Sequence, residues 1–246
     1  MYPINDDGLL TLYSNLTTGA ITGGAQVLLG PDETVKMTMA NNSGDSAISS
    51  LTIDNGSTLD ITNNAITIDY GDGTDPIASI AALITSGYAH GSWTGTGITS
   101  SSAQGNSGSY GIGYADSADP GNPAGLASDS IEIMYTLLGD ANLDGKVNGI
   151  DFDLMAMHFN QAVTDGWDEG DFNYDGKVNG SDFLLLAENF DQAANQSASA
   201  ATDLAALEAF ATANGIEINL PEPASAGVMV VVGLAVLRRR RSRPQR

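Results

Sequence analysis

The stretch GDANLDGKVNGIDFDLMAMHF, residues 139–159, decides how the second half of this chain folds, because it recurs as GDFNYDGKVNGSDFLLLAENF at residues 170–190. The two copies start 31 residues apart, and 14 of their 21 aligned positions are identical. Counted from the Asp after the first glycine, Asp or Asn stands at positions 1, 3, 5, 9 and 12 of both copies. The repeat therefore indicates two copies of one small unit that carry the same chemistry.

The shared Asp and Asn residues have the spacing of calcium ligands. Calcium is a hard cation that takes six to eight oxygen ligands in a flexible geometry. Gly145 and Gly176, at position 6, permit the sharp turn that folds each loop around an ion. The predicted ligands are Asp140, Asn142, Asp144, the Lys146 carbonyl, Asn148 and Asp151 in the first loop and Asp171, Asn173, Asp175, the Lys177 carbonyl, Asn179 and Asp182 in the second. The sequence thus predicts two bound Ca²⁺ ions.

A helix is predicted after each loop, because apolar residues recur there at helical spacing. The apolar faces comprise Phe152, Met155, Ala156 and Phe159 in the first copy and Phe183, Leu186, Ala187 and Phe190 in the second. The residues before the first loop, SIEIMYTLL, alternate apolar and polar and so favour a strand over an entering helix. Asp, Asn and Gly also make plain surface turns, but two copies in register, each followed by an amphipathic helix, favour calcium loops.

Tandem loop–helix units with Asp at position 12 resemble the type I dockerin domain, over residues 138–191. The resemblance implies a small antiparallel helix pair folded by calcium, and a cohesin-like protein as a partner. In that family, docking often uses loop positions 10 and 11. Here these are Gly149 and Ile150 in the first loop and Gly180 and Ser181 in the second, without the paired hydroxyl groups of many dockerins.

The C-terminal segment, residues 221–246, reads PEPASAGVMVVVGLAVLRRRRSRPQR. Its apolar run, residues 224–237, would span about 21 Å as a helix, against a hydrocarbon core of about 30 Å, and snorkelling arginines with local thinning would accommodate the difference. The arginine cluster predicts that the rest of the chain lies outside the membrane. Pro-Glu-Pro, apolar helix and arginines in this order resemble the PEP-CTERM sorting signal, which implies processing by an exosortase-type enzyme at a Gram-negative-type envelope.

The amino-acid composition disfavours or excludes several classes of function. The formal net charge is −21, and Lys36, Lys146 and Lys177 are the only basic residues before the arginine-rich tail. This disfavours nucleic-acid binding, since almost nothing could neutralise phosphates. Cysteine is absent, which excludes disulfides and thiolate metal sites. The first residues, MYPINDDGLLTLYSN, lack the basic and apolar regions of a secretion signal, so we expect a C-terminal piece of a longer product or a wrongly chosen start.

Residues 1–137 are expected to form a mainly β body. Short alternating runs recur, and Asn55-Gly56 indicates a tight turn between strands. The apolar residues of residues 51–70 that share one face are Leu51, Ile53, Leu59, Ile61, Ile66 and Ile68. Repeated short strands with Asn and Gly corners suit a β-sandwich or the end of a β-solenoid.

Two helices are expected outside the loop–helix units. The first would have Asp75 as its N-cap, Pro76 as its first residue and Gly87 as its stop. The second would follow a small-residue linker within residues 192–220, end at Gly215 and pack on the module or the body.

The segments SGYAHGSWTGTGITSS, residues 86–101, and GIGYADS, residues 111–117, resemble those preceding dockerins in planctomycete surface proteins with autotransporter-associated β-strand repeats. The resemblance implies a secreted, repetitive β architecture. Tyr88 and Trp93 could stack on sugar rings, but core and edge packing is favoured, because aromatic side chains mostly supply buried area.

No catalytic constellation is evident. The histidines, His90 and His158, belong to no paired motif, and no HExxH, GxSxG or nucleotide fingerprint occurs. Asp69, Asp72 and Asp75 could form a third cation site, although a turn followed by an N-cap is favoured.

The combined expectation is a non-enzymatic extracytoplasmic or cell-surface protein with a calcium-dependent docking module, anchored in a membrane through residues 224–237 before processing. Two alternatives stay open. One is an accessory or C-terminal piece of a polysaccharide-degrading enzyme of the glycoside hydrolase type, since acid pairs are abundant. The other is a structural spacer that calcium rigidifies.

Overall fold

The computed structural model describes residues 2–54, 56–163, 166–190 and 200–218. Strands dominate the part before the duplicated motif, and helices follow each of its two loops. The expected combination of a mainly β body and a small loop–helix pair is confirmed.

In the described part of residues 1–137, the β body contains twelve strands in three sheets. The strands are β1 (Ile4–Asn5), β2 (Leu9–Leu12), β3 (Leu16–Thr18), β4 (Ile21–Thr22), β5 (Ala25–Leu29), β6 (Lys36–Met39), β7 (Ser46–Ile53), β8 (Thr58–Asp60), β9 (Ala65–Asp69), β10 (Gly97–Thr99), β11 (Tyr110–Asp116) and β12 (Ser130–Leu137). One sheet has the order β3-β6-β8-β10, the largest has β2-β5-β7-β9-β12-β11, and β1 pairs with β4.

The first strands stack as successive coils. Each strand of the first coil pairs in parallel with its counterpart in the second: β1 with β4, β2 with β5 and β3 with β6. β7 then pairs with β5, and β8 with β6, which adds a third coil. A β-sandwich is made of antiparallel strands, so the parallel stacking matches the solenoid alternative.

The interior of the coils follows from the alternation of side chains along each strand. In β5, Ala25, Val27 and Leu29 are buried while the residue between the first two is exposed. In β6, Met37 and Met39 have no exposed surface. Apolar residues at every second position therefore fill the space between the two larger sheets.

Helix α1 (Ile77–Tyr88) leaves the stacked coils after β9 and leads back to β10. Asp75 Oδ1 accepts a hydrogen bond of 2.8 Å from Ile77 N, so the expected capping side chain lies at the helix start. Pro76 precedes the helix instead of beginning it.

The prediction that Gly87 ends α1 is wrong. Gly87 is buried inside the helix, where a Cβ atom would collide with the carbonyl oxygen of Ile98 in β10. The helix instead ends with Ala89 in the left-handed conformation, at φ 46°. Gly87 is therefore a close-packing residue, and a sequence pattern cannot distinguish that role from a stop.

Two antiparallel strands close the parallel stack. A short helix, α2 (Ser101–Gln104), leads from β10 to β11, which pairs with β12, and β12 in turn pairs with β9. The stretch SIEIMYTLL therefore contains a strand, as predicted. β11 lies at the edge of its sheet, and it faces the loop–helix units.

Helices α3 (Gly149–His158) and α4 (Gly180–Asn189) follow the two loops. The short strands β13 (Gln161–Ala162) and β14 (Lys177–Val178) pair antiparallel between them, and a 3-10 turn spans Trp167–Glu169. The buried residues on the predicted apolar faces are Phe152, Met155, Phe183, Leu186 and Ala187. The ring centroids of Phe152 and Phe183 lie 6.4 Å apart, so the two apolar faces meet as expected.

A third helix, α5 (Ala200–Asn214), packs on this pair. Phe210 contacts Phe152 and Phe183 with centroid distances of 5.3 and 5.4 Å. Leu207 has no exposed surface. Gly215 follows the helix with φ 69°, which confirms the expected stop.

Several sequence predictions fall outside the described residues. These are the sorting signal at residues 221–246 with its apolar run, the small-residue linker before α5, and Asn55 of the predicted turn. Within the residues that the structure describes, no helix is both long and apolar enough to span a bilayer.

Replacing Leu207 with Ala is expected to destabilise the calcium-loaded protein by about 2–4 kcal/mol, because the change leaves a cavity between α5 and the α3–α4 pair. Denaturant unfolding measures the loss. Glu208→Ala, at the exposed neighbouring position, is the matched control and should unfold like the unchanged protein. Equal stability of the two variants would contradict the packing of α5.

Candidate calcium sites

The position-1 carboxylate of each loop accepts hydrogen bonds from backbone N–H groups of the same loop. Asp140 Oδ1 accepts a hydrogen bond of 3.0 Å from Asp144 N, and Asp140 Oδ2 accepts one of 3.0 Å from Gly145 N. The second loop has the two equivalent bonds, of 3.1 and 2.8 Å. The duplicated sequence therefore folds the same way twice.

The position-12 carboxylate closes each loop. Asp151 Oδ1 accepts from Ala141 N at 2.9 Å and Asn142 N at 3.2 Å, while Oδ2 accepts from Asn148 N at 2.9 Å. Asp182 makes the three equivalent bonds, of 3.0, 3.2 and 3.0 Å. The short Asp side chain thus reaches across the loop from the first turn of the following helix.

The position-9 side chains join loop to helix. Asn148 accepts a hydrogen bond of 2.9 Å from Ile150 N, and Asn179 accepts one of 2.9 Å from Ser181 N. Together with the position-12 carboxylates they form a capping box at the start of α3 and of α4. Because these groups are also predicted ligands, loop geometry and helix start depend on each other.

The turn at position 6 requires a residue that tolerates positive φ. Gly145 and Gly176 have φ 80° and 79°. A Cβ atom at either glycine would meet nothing within 4 Å, so backbone conformation and not space is the reason for glycine here.

The carboxylates at positions 1 and 12 of each loop are buried, and no ion pair among the described residues offsets their charge. Asp140, Asp151 and Asp182 have no exposed surface, and Asp171 is 3% exposed. Among the described residues, no Lys, Arg or His forms an ion pair with any of them. A buried carboxylate without a counter-charge is costly, so these loops need a cation to be stable in the ionised form.

Burial raises the pKa of these carboxyl groups. Desolvation brings the pKa of Asp140 to about 6 and those of Asp151 and Asp182 to about 7, while hydrogen bonds from backbone N–H groups act in the opposite direction. Burial also raises the pKa of Asp171. The negative charges of Asp140 and Asp144 add to the upward shift at Asp151, as expected for acids that share one loop.

The donor set fits calcium. No three Asp, Glu, His or Cys side chains of the described residues converge into a ready-made metal cluster. The donors are instead distributed around each loop as three carboxylates, two amide oxygens and the position-7 carbonyl. Calcium accepts such a mixed oxygen shell, whereas softer metals prefer nitrogen and sulfur.

Residues 138–191 match the family model of the dockerin type I domain. The match spans both loops, α3 and α4, and it leaves the β body unassigned. No curated protein and no solved structure matches the chain. The tandem units are therefore a dockerin-type module, and such modules bind calcium and dock to proteins.

Two residues beside the first loop were not predicted from the sequence. Thr136 Oγ1, on β12, donates a hydrogen bond to Asp140 Oδ2, and Trp167 Nε1 donates one of 2.7 Å to the Asp140 carbonyl oxygen. Neither belongs to the loop spacing, so only the fold brings them to the ligand.

The other candidates have ordinary structural roles. Asp69 accepts a hydrogen bond of 3.2 Å from Gly71 N, which matches the favoured turn. The N-cap residue of α1 is Pro76 and not Asp75 as predicted, although Asp75 Oδ1 accepts a hydrogen bond from Ile77 N at the helix start. His158 Nε2 lies 3.6 Å from a carboxylate oxygen of Glu169, and His90 is exposed.

Removing a position-12 carboxylate is expected to abolish calcium binding at its own loop. In Asp151→Ala, the first loop loses both a ligand and three backbone hydrogen bonds, so calorimetric titration should detect one ion instead of two. Asp153→Ala, at the exposed position two residues later, is the control and should retain two. Unchanged stoichiometry in Asp151→Ala would contradict the ligand assignment.

The raised pKa values predict how pH affects the calcium-free protein. Asp151 and Asp182 have folded pKa values of about 7 against an ordinary value of 3.8, so between these values the folded state binds more protons than the unfolded chain. Stability is lost as the pH rises through 7, and lowering the pH from 8 to 5 should therefore raise the Tm.

Saturating calcium should remove or reverse this trend, because protons compete with the ion for the same carboxylates. Thermal unfolding of protein freed of metal by dialysis, and of the loaded protein, at pH 8, 6 and 5 provides the comparison. If the Tm of the calcium-free protein fell when the pH was lowered from 8 to 5, the prediction would be wrong.

Proposed function

We propose that the chain is a non-enzymatic extracytoplasmic or cell-surface protein that docks to another protein through its dockerin-type module when two Ca²⁺ ions are bound. The observation that carries the proposal is the duplication of geometry: both loops place the predicted ligands, the capping Asn and the following helix in the same arrangement. A cohesin-like protein is the partner that the module's family favours.

The ligands proposed for each ion are the six loop positions predicted from the sequence. Their burial supports the assignment, since positions 1 and 12 are buried, positions 3 and 9 are half-buried and positions 5 and 7 are exposed in both loops. Because such a site scarcely exists in an unfolded chain, ion binding and module folding are coupled.

The docking surface that we propose lies on the outward side of α3 and α4. Ile150 is 57% exposed and Met157 is 62% exposed, and their seven-residue separation puts them on one side of α3. On α4, Leu184 is 39% exposed and Ser181 is exposed. Exposed apolar side chains on neighbouring helices are suited to contact with a protein partner.

The position-10 residues are less accessible than those at position 11. A Cβ atom on Gly149 would lie 2.8 Å from the carboxyl carbon of Asp203 on α5, and one on Gly180 would lie 3.7 Å from Ile216. The segment containing α5 thus covers position 10 of both loops. We therefore assign recognition to position 11, Ile150 and Ser181.

The cellular context that we propose follows from residues 221–246. Their resemblance to the PEP-CTERM signal supports export, transient anchoring in a membrane through residues 224–237 and processing by an exosortase-type enzyme. Calcium loops also suit a compartment where calcium is plentiful, and the acidic composition, with net charge −21, suits an environment rich in divalent ions.

A calcium-rigidified structural spacer is the second candidate. It is favoured by the close packing of the module on the β body, where Tyr174 of the second loop is hydrogen-bonded to Ile112 of β11. In a spacer the ion would stabilise the chain without a docking partner.

Binding to immobilised cohesin domains, with calcium and with chelator, tests the docking proposal. We expect calcium-dependent binding that Ile150→Asp weakens at least about tenfold, since one buried interface charge costs more than about 1.4 kcal/mol. Leu9→Asp is the matched control, because Leu9 is 61% exposed on β2, away from the module.

Three results would argue against calcium-dependent docking through this surface: binding that chelator leaves intact, equal effects of both variants, or no binding by protein that calcium still stabilises. The last would favour the spacer. Failure of calcium to bind at all would instead overturn the site assignment, which the calorimetric titration examines separately.

A further inference from the structure

The two calcium loops lie against the β body through their position-4 residues. Leu143 and Tyr174 hold this position in the first and second loops, and neither belongs to the predicted ligand set. Both have positive φ, 58° and 59°, and both are nearly buried, at 9% and 7% exposed. A left-handed conformation is unusual for such residues, and here it turns both side chains towards the body.

Tyr174 binds the edge strand of the largest sheet. Its hydroxyl accepts a hydrogen bond of 3.0 Å from Ile112 N and donates one of 2.9 Å to Ile112 O. Edge strands carry backbone groups that no neighbouring strand satisfies, and one side chain satisfies both groups of Ile112. The Tyr174 ring also contacts Tyr88 and Trp93, with centroid distances of 4.6 and 5.8 Å.

These contacts support the packing role that the sequence favoured for Tyr88 and Trp93. Trp93 is only 4% exposed, and its ring meets that of Tyr88 edge-on at 5.2 Å. Both rings therefore pack at the contact between body and module, as the core interpretation predicted.

Leu143 packs against Gly113, the residue that follows Ile112 in β11, where the lack of a side chain leaves room. A Cβ atom on Gly113 would lie 2.5 Å from Leu143 Cδ2, 2.8 Å from Trp167 Nε1 and 2.9 Å from Thr136 Cγ2. Any side chain at Gly113 would therefore push the first loop and the indole away from the strand.

The same contact reaches a calcium ligand directly. Thr136 of β12 donates to the Asp140 carboxylate, and the indole that lies over Gly113 donates to the Asp140 carbonyl oxygen. Thr136 of the body therefore helps to fix the orientation of the position-1 ligand in the first loop, together with Trp167 of the module. In the second loop, the bonds from Tyr174 to Ile112 hold the residue next to Asp175 at position 5.

We propose that the β body takes part in calcium binding. Packing of Leu143 against Gly113 and hydrogen bonding of Tyr174 to Ile112 hold both loops in their closed form. Calcium binding and body–module contact are then coupled, and coupling is reciprocal. Calcium strengthens the contact, and the contact raises calcium affinity. Chelation loosens the module from β11, so the ions also control the joint between the two parts.

Calcium titration of full-length variants that leave every ligand in place tests the coupling. Gly113→Ala obstructs the seat of Leu143, and Tyr174→Phe removes only the two hydrogen bonds to Ile112. We expect calcium affinity to fall about five- to tenfold in each, within the usual range for coupled sites. Gly108→Ala is the matched control, because a Cβ atom at Gly108 would meet nothing within 4 Å.

Hydrogen exchange at the Ile112 amide provides a second readout that does not depend on affinity. This amide bonds to the Tyr174 hydroxyl, so its exchange should accelerate after chelation in the unchanged protein and accelerate with calcium present in Tyr174→Phe. Tyr174→Phe is a mild change, and its far-UV circular dichroism in calcium should match that of the unchanged protein.

Two results would overturn the proposal. One is calcium affinity in Gly113→Ala and Tyr174→Phe equal to that of Gly108→Ala. The other is an Ile112 amide that stays protected after calcium is removed. Either would mean that the body only adjoins the loops, and neither depends on whether the module docks to a partner.

Discussion

The structure of the second half depends on one electrostatic constraint: four carboxylates are buried in two loops, and no cationic side chain among the described residues is paired with them. Backbone N–H groups hold each carboxylate in place but do not neutralise it, and burial raises the pKa of all four. In the function that we propose, one Ca²⁺ ion bound in each loop supplies the missing charge. The capping Asn residues and the starts of α3 and α4 then depend on the same ion.

Around that constraint, the chain joins two architectures, a β body and a loop–helix module. Parallel strands form coils that an antiparallel pair closes, and the edge strand β11 then receives the position-4 residues of both loops. Helix α5 covers the opposite side of the module, over the two aromatic side chains Phe152 and Phe183. The exposed positions on α3 and α4 are consequently the surface that our proposal gives to a partner.

The sequence predicted local features well because they depend on spacing. The loop repeat, the apolar helix faces and the strand before the first loop follow from neighbours along the chain. Gly87 was misjudged as a stop because its neighbour is Ile98, a contact that only folding creates. Thr136 and Tyr174 were missed for the same reason: their partners, Asp140 and Ile112, become visible only when strand and loop are placed together.

The most direct test of the central claim is the number of calcium ions that one full-length chain holds, measured by native mass spectrometry before and after chelation. The account predicts two ions, both removed by chelator, with a change in the charge-state distribution as the module loosens. A chain that binds any other number, or that is indifferent to calcium, would contradict it.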